Sequence, residues 1–224
     1  MDVVENHFDN LAAEYDFWKK KNWYYYDAVK KVYAGLIPSG SRVLEIGCGT
    51  GDILASLNPP LGIGIDASGG MIRRAQKKYA HAKNLLFQHI DIANFSSNET
   101  FDYIFLADVI EHLPDVSAAI RSVARLMRSD TNLIISMANP LWEPALMLAE
   151  KLHLKMPEGP HTRISARELI AINKSYGLIL KKRKYVLPFP VHIPFFSNFF
   201  NFTIERMPFI NKTGVIMVFV FVKS

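Results

Sequence analysis

The sequence predicts an α/β domain in which a mostly parallel, doubly wound sheet carries helices on both faces. Short apolar runs alternate with helical stretches from residue 42 to residue 138. The runs stay apolar at successive positions, as strands buried on both faces do, instead of alternating with polar residues. The first run ends in a glycine loop that opens a helix. At roughly 100–200 residues per domain, 224 residues make one large domain, long enough to bury a core without disulfide or metal staples.

Residues 1–37 read as a helical segment. Phe8, Leu11, Ala12 and Tyr15 form one apolar stripe, and Ala28, Val29, Val32, Tyr33 and Leu36 continue the helical period until Pro38-Ser39-Gly40 breaks it. Arg42–Ile46 is the first strand, followed by a helix through Leu57. Gly62–Ile65 is the second strand and Gly70–Tyr79 its helix. Leu85–His89 and Tyr103–Ala107 are the next strands, Val116–Met127 a helix and Asn132–Met137 the fifth strand. The alternation then loosens. Residues 139–165 hold four prolines around a helix at Ala145–Leu152, and Ala166–Tyr176 is a helix closed by Gly177. Leu178–Val186 is a strand, 187–213 an aromatic, proline-rich excursion, and Val215–Val222 the last strand. Insertions such as 139–165 and 187–213, late in an α/β domain, build lids over the ligand edge of the sheet.

Composition narrows the class. Hydrophobic residues at 50% and aromatics at 12% exclude a disordered chain. One cysteine, Cys48, excludes an internal disulfide and suits a reducing, cytoplasmic setting. The longest apolar run, Gly214–Val222, falls short of a membrane span, and the acidic, polar start reads as neither secretory signal nor transit peptide. The net charge is 26 − 21 = +5, and the pI is near 9.2. Lys19–Lys21, Arg73/Arg74 with Lys77/Lys78, and Lys181–Lys184 are solvated faces or attract nucleic acid, anionic lipid or a phosphorylated compound.

The chemistry lies in Val43-Leu44-Glu45-Ile46-Gly47-Cys48-Gly49-Thr50-Gly51. Glycines here allow a tight turn and close approach of a ligand to the backbone. Asp66 ends the second strand, 66 − 47 = 19 residues after the first glycine, where an acid can accept hydrogen bonds from a ribose diol. A dinucleotide loop would place its third glycine one residue later, where this chain has Asp52. A carboxylate there competes with a pyrophosphate for the same donors. The pattern favours a nucleoside cofactor without phosphates, such as S-adenosyl-L-methionine.

Glu45–Gly51 with Asp66 resembles the cofactor signature of class I S-adenosylmethionine-dependent methyltransferases. Asp91 in Gln88-His89-Ile90-Asp91-Ile92, the run Phe101–Leu113, and Phe8-Asp9-x-x-Ala12-x-x-Tyr15-Asp16 are similar to that family's later motifs and N-terminal segment. The resemblance covers residues 1–138 well and 165–186 more loosely. It implies a Rossmann-like, seven-stranded sheet in the order 3-2-1-4-5-7-6. It also implies cofactor contacts at Tyr15, Glu45, Gly47, Cys48, Gly49, Gly51, Asp66, Ala67, Met71, Asp91, Ile92, Ala107 and Asp108. In it Glu45 lies under the methionine part, Asp91 meets the adenine, and Tyr15 closes over the cofactor.

Methyl transfer from a sulfonium is an in-line displacement in which positioning supplies much of the rate. A base matters only for a protic acceptor, and His112 and His161 are the candidates. No histidine spacing suggests a metal site. Asn139-Pro140-Leu141-Trp142 looks like an amino-gripping motif but follows the wrong strand; Trp142 is kept as a pocket-wall candidate. Leu141–Pro144 resembles a stretch of methyltransferases found beside glycosyltransferases. The acceptor expected is a small-molecule, lipid-linked or glycan-linked compound, bound among the N-terminal aromatics, Trp142, Met147 and the phenylalanines of 187–213, with contact to a membrane surface a further option. In that picture Trp142→Ala and Phe196→Ala reduce turnover. Rival classes are an NAD-dependent oxidoreductase, a catalytically silent cofactor-binding scaffold, and an RNA or protein methyltransferase. No appended nucleic-acid module is visible.

Overall fold

The computed structural model describes residues 3–194, 196–207 and 210–224, without the side chains of Asn198 and Asn211. Phe195, Pro208 and Phe209, counted above in the aromatic insertion, lie outside the described residues.

Seven strands form one sheet in the order β3-β2-β1-β4-β5-β7-β6, the order the resemblance implies. They are β1 (Val43–Ile46), β2 (Gly62–Asp66), β3 (Leu85–His89), β4 (Tyr103–Ala107), β5 (Asn132–Ala138), β6 (Leu178–Val186) and β7 (Ile216–Lys223). The first five pair in parallel, and β7 runs antiparallel between β5 and β6. Side chains alternate across a strand. Leu44 and Ile46 of β1 therefore join one core with Ile104, Leu106 and Ile135, under α6 (Val116–Leu126) and α8 (Ala166–Ser175). Val43 joins the opposite core with Phe105 and Ile134, under α3 (Trp23–Leu36), α4 (Asp52–Leu57) and α5 (Gly69–Lys78). The chain winds outward from β1 to β3, then returns to β4. The crevice between the carboxyl ends of β1 and β4 is thus the topological switch point, where open α/β sheets bind ligands.

Tyr33 of α3 fixes that helix to the sheet. Its hydroxyl is fully buried, donating to Leu106 O at 2.9 Å and lying 3.1 Å from Ser136 Oγ. Tyr33→Phe strands buried acceptors and is expected to cost about 1–3 kcal/mol of stability, read as a lowered midpoint in urea unfolding.

The helical N-terminal segment folds as α1 (Val3–Leu11), α2 (Tyr15–Lys21) and α3. Asp9 Oδ1 accepts from Ser68 Oγ at 2.5 Å and Gly70 N at 2.8 Å, which pins α1 to the start of α5. After the turn at residues 12–14, Asp16 accepts from Thr50 Oγ1 at 2.8 Å, which lays α2 over the glycine loop.

The two insertions hold α7 (Glu143–Lys151) and α9 (Phe196–Ile204). They are clasped at their bases. The buried Asn139 amide donates to Lys212 O at 3.0 Å and Gly214 O at 2.7 Å. Trp142 Nε1 donates to Thr213 O at 2.6 Å. Trp142 is therefore a strut between insertions and does not border the cavity described next, which removes it from the acceptor wall. No helix among the described residues is long and apolar enough to cross a membrane.

Candidate active site

The carboxyl ends of β1, β2 and β4 open into a cavity of about 950 Å³, covered by α1–α3 and by residues 143–165. That is the upper end of the roughly 300–1,000 Å³ range of small-ligand sites.

The loop after β1 builds the floor. Gly47 and Gly49 hold φ of +69° and +52°, which side chains rarely tolerate. A Cβ on Gly47 would sit 2.6 Å from Val109 Cγ1, and one on Gly49 would sit 3.2 Å from the Tyr15 ring. Tyr15 thus lies over the loop at the cavity edge. Gly51 differs from expectation. It does not border the cavity, and a Cβ there would strike the Phe87 ring at 2.6 Å, so it turns and packs the chain instead of meeting a ligand. Cys48 borders the cavity, but its Sγ faces Gly64 of β2, and burial pushes the thiol pKa well up.

Asp66 closes the loop from the side. Its Oδ2 accepts from Gly49 N and its Oδ1 from Ser68 N, each at 2.8 Å. Burial raises its pKa while those two N–H bonds oppose the shift. Each carboxylate oxygen has a second lone pair, so a vicinal diol can still be accepted. Ala67 and Met71 continue the wall into α5, whose N-cap, Ser68, accepts from Met71 N. Beyond β3, Asp91 and Ile92 complete this end, with Asp91 Oδ1 accepting from Ala93 N at 2.7 Å. Asp66→Ala is expected to weaken binding of S-adenosylhomocysteine by about 1.5–3 kcal/mol, because charged acceptors of two hydroxyls are lost. Calorimetry with unchanged affinity would remove Asp66 from the ribose.

Beneath the loop, Glu45 is buried in β1 and its Oε2 accepts from Leu54 N at 3.1 Å. Burial pushes its pKa up to about 8, with the Lys19 charge opposing. Lys19 was not legible as a site residue, being one of three lysines in a row. Its ammonium lies 4.6 Å from the Tyr15 ring centroid and 3.2 Å from Asp52 Oδ2. Burial alone would raise the Asp52 pKa, but Lys19, Lys78 and the Tyr79 hydroxyl together hold it below the usual carboxylate range.

The β4 side carries Ala107, Asp108, Glu111 and His112. Asp108 takes a φ of +55°, and its carboxylate accepts from Tyr25 Oη at 2.7 Å and Ser136 Oγ at 2.8 Å. Burial raises its pKa. Glu111 Oε1 accepts from Ala138 N, while Oε2 is buried with no hydrogen-bond partner among the described residues. Burial, then the neighbouring Asp108, push Glu111 up to about 8, which makes it a mostly neutral acid at pH 7. His112 Nδ1 lies 3.1 Å from Pro160 O, so Nδ1 carries the proton and Nε2 keeps its lone pair. Burial lowers the His112 pKa. His161 shares the cavity, its ring 6.3 Å from that of His112. Of the described residues of the phenylalanine insertion, only Pro190 and Val191 reach the cavity; Phe196 does not.

These residues fit a nucleoside whose tail bears a positive charge. The loop leaves no Cβ toward Tyr15, Asp66 keeps lone pairs for a diol, and the Asp66 and Asp108 carboxylates would repel a pyrophosphate. Fold and site together define an α/β domain for a phosphate-free nucleoside cofactor. A family model described as a methyltransferase domain matches residues 17–181, and the chain belongs to that family. The chain thus carries a methyltransferase domain, and the cavity residues fit S-adenosylmethionine as its cofactor.

Several similar proteins frame it. The demethylmenaquinone methyltransferase of Staphylococcus saprophyticus is 27% identical over 167 residues, 68% of this chain and 69% of that protein. The ubiquinone biosynthesis O-methyltransferase of Glaesserella parasuis is 31% identical over 135 residues, 54% of this chain and 57% of that protein. The chain spans about half the length of similar ubiquinone-biosynthesis enzymes from Rhodopseudomonas palustris. The magnesium protoporphyrin IX methyltransferase of Synechocystis, with S-adenosylhomocysteine bound, superimposes with a TM-score of 0.67 at 20% identity, covering 99% of this chain and 98% of that one.

Proposed function

We propose that the chain methylates a partly apolar small molecule at a protic atom, with His112 as the base. One observation carries this reading: the cavity bordered by Asp66 and Asp91 is also bordered by the apolar Phe8, Leu113, Leu146, Met147 and Met156, with His112 on its wall. S-adenosylmethionine, when bound, supplies an electrophilic methyl group on a sulfonium sulfur. The chain's residues do the rest. Glu45, Asp66 and Asp91 orient the donor, and the apolar wall orients the acceptor and excludes water. The lowered pKa keeps the imidazole neutral at pH 7, so Nε2 can take the acceptor's proton as its atom attacks. His161 shares the chamber, and its charge helps to lower the pKa of His112. The names of two curated relatives, concerned with demethylmenaquinone and ubiquinone biosynthesis, also support a small-molecule acceptor.

The test is transfer of label from methyl-labelled S-adenosylmethionine to cell extract divided into lipid, small-molecule, protein and RNA fractions. Label in the lipid or small-molecule fraction is expected. Label confined to protein or RNA overturns the reading.

A further inference from the structure

We infer that α9 and the basic cleft beside it form a docking surface for an anionic lipid bilayer.

The helix is inside out. Its buried positions are polar: Ser197 is 0% exposed and Asn201 7%. Ser197 Oγ donates to Val191 O at 2.7 Å and accepts from Ile193 N at 2.6 Å. Asn201 accepts from Phe189 N at 2.7 Å and donates to Phe189 O and Tyr24 Oη, each at 3.0 Å. The outward positions are phenylalanines. Phe196, Phe199 and Phe202, spaced three apart and so on one face, are 47%, 71% and 57% exposed. A surface helix facing water shows the opposite pattern. Folding spends hydrogen bonds to hold the polar side inward, which leaves the aromatic side for another apolar phase.

The apolar surface is continuous with the active site. Val191 and Ile193, just before α9, are exposed, and Val191 borders the cavity. The exposed Trp23 ring packs 4.8 Å from that of His192.

Charge selects the occupant. A cleft of about 940 Å³ runs between α3, β6 and α9, bordered by Lys31, Arg183, Lys184 and Arg206 beside Phe202. The Arg206 guanidinium lies 3.4 Å from the Phe202 ring centroid, so a cation sits directly at the aromatic face. The carboxylates bordering this cleft are already engaged: Asp27 pairs with Lys31 at 2.7 Å, and Glu205 accepts from Leu187 N at 3.0 Å. Phenylalanines flanked by a cleft in which cations outnumber carboxylates match the acyl–headgroup boundary of an anionic leaflet. A second copy suits the surface poorly, because it would bring two clefts of the same positive sign into one interface. The nine residues of α9 are too short to span a bilayer, so the helix lies in the interface plane.

The inference is independent of the acceptor chosen above, and so is its test. The full chain is sedimented with vesicles of phosphatidylcholine alone or mixed with phosphatidylglycerol. Binding to the mixed vesicles, weakened by added salt, is expected. The double change Phe199→Ser and Phe202→Ser should lower that binding by roughly tenfold or more with S-adenosylhomocysteine affinity unchanged, which also shows that the variant folds. Arg183→Glu with Lys184→Glu should abolish the preference for the anionic vesicles. Absence of vesicle binding by the unaltered chain overturns the proposal, as does binding that the phenylalanine pair leaves untouched. Self-association that the serine pair abolishes, without vesicle binding, assigns the surface to a second copy and also overturns it.

Discussion

Gly49→Val is expected to yield a folded protein whose affinity for S-adenosylhomocysteine falls by at least about 100-fold. Three effects act together. A β-branched residue at a φ of +52° is strained before any contact is counted. The new Cβ alone lies 3.2 Å from the Tyr15 ring, and the two methyls beyond it must displace that ring or fill the floor of the cavity. Any retreat of the loop also withdraws Gly49 N from Asp66 Oδ2, so the carboxylate loses the donor that aims it. Gly35→Ala is the matched control, because a Cβ there meets nothing within 4 Å and replaces glycine in a helix. Cofactor binding measured by calorimetry, with cooperative thermal unfolding as the check on folding, decides the matter. Normal binding by Gly49→Val would mean that the loop does not cradle the ligand.

His112→Ala should lower kcat by roughly 10²–10⁴-fold, while S-adenosylhomocysteine affinity stays within about twofold, as the proposed acceptor-side role of the ring requires. The pH profile separates a base from a wall residue. Neutral imidazole is the active form, so kcat falls as pH falls through the His112 pKa. Burial holds that pKa below its ordinary value of 6.5, so the acidic limb should lie below 6.5 as well. The alanine variant should lose the limb altogether. A variant that keeps the same limb at a reduced rate would place His112 in the wall.

The parallel half of the molecule was legible because both signals in it are local. Strands β3 and β4 fall where the apolar runs placed them, and Asp66 faces the loop as its distance from Gly47 suggests. What was illegible depends on direction, not hydrophobicity. Gly51 belongs to the same glycine run as Gly49, yet it faces Phe87 because the chain has already turned toward α4. Trp142 and Phe196 are aromatic residues on insertions beside the site, but one braces the neighbouring insertion and the other points outward. Periodicity locates an apolar face without saying what covers it. Lys19 and Glu111 were hidden for another reason: a lysine run and a single glutamate look solvated until the fold places them beside Asp52 and Asp108.

The clasp made by Asn139 and Trp142 has a consequence for anyone transplanting specificity between relatives. A chimera that replaces residues 139–165 alone leaves the carbonyls of Lys212, Thr213 and Gly214 without the side chains that now satisfy them. Replacing 187–214 alone leaves a buried amide donor facing a foreign backbone. The chamber roof and the aromatic platform therefore form one modular cassette, which recombination must exchange whole if the recipient is to keep an acceptor site at all.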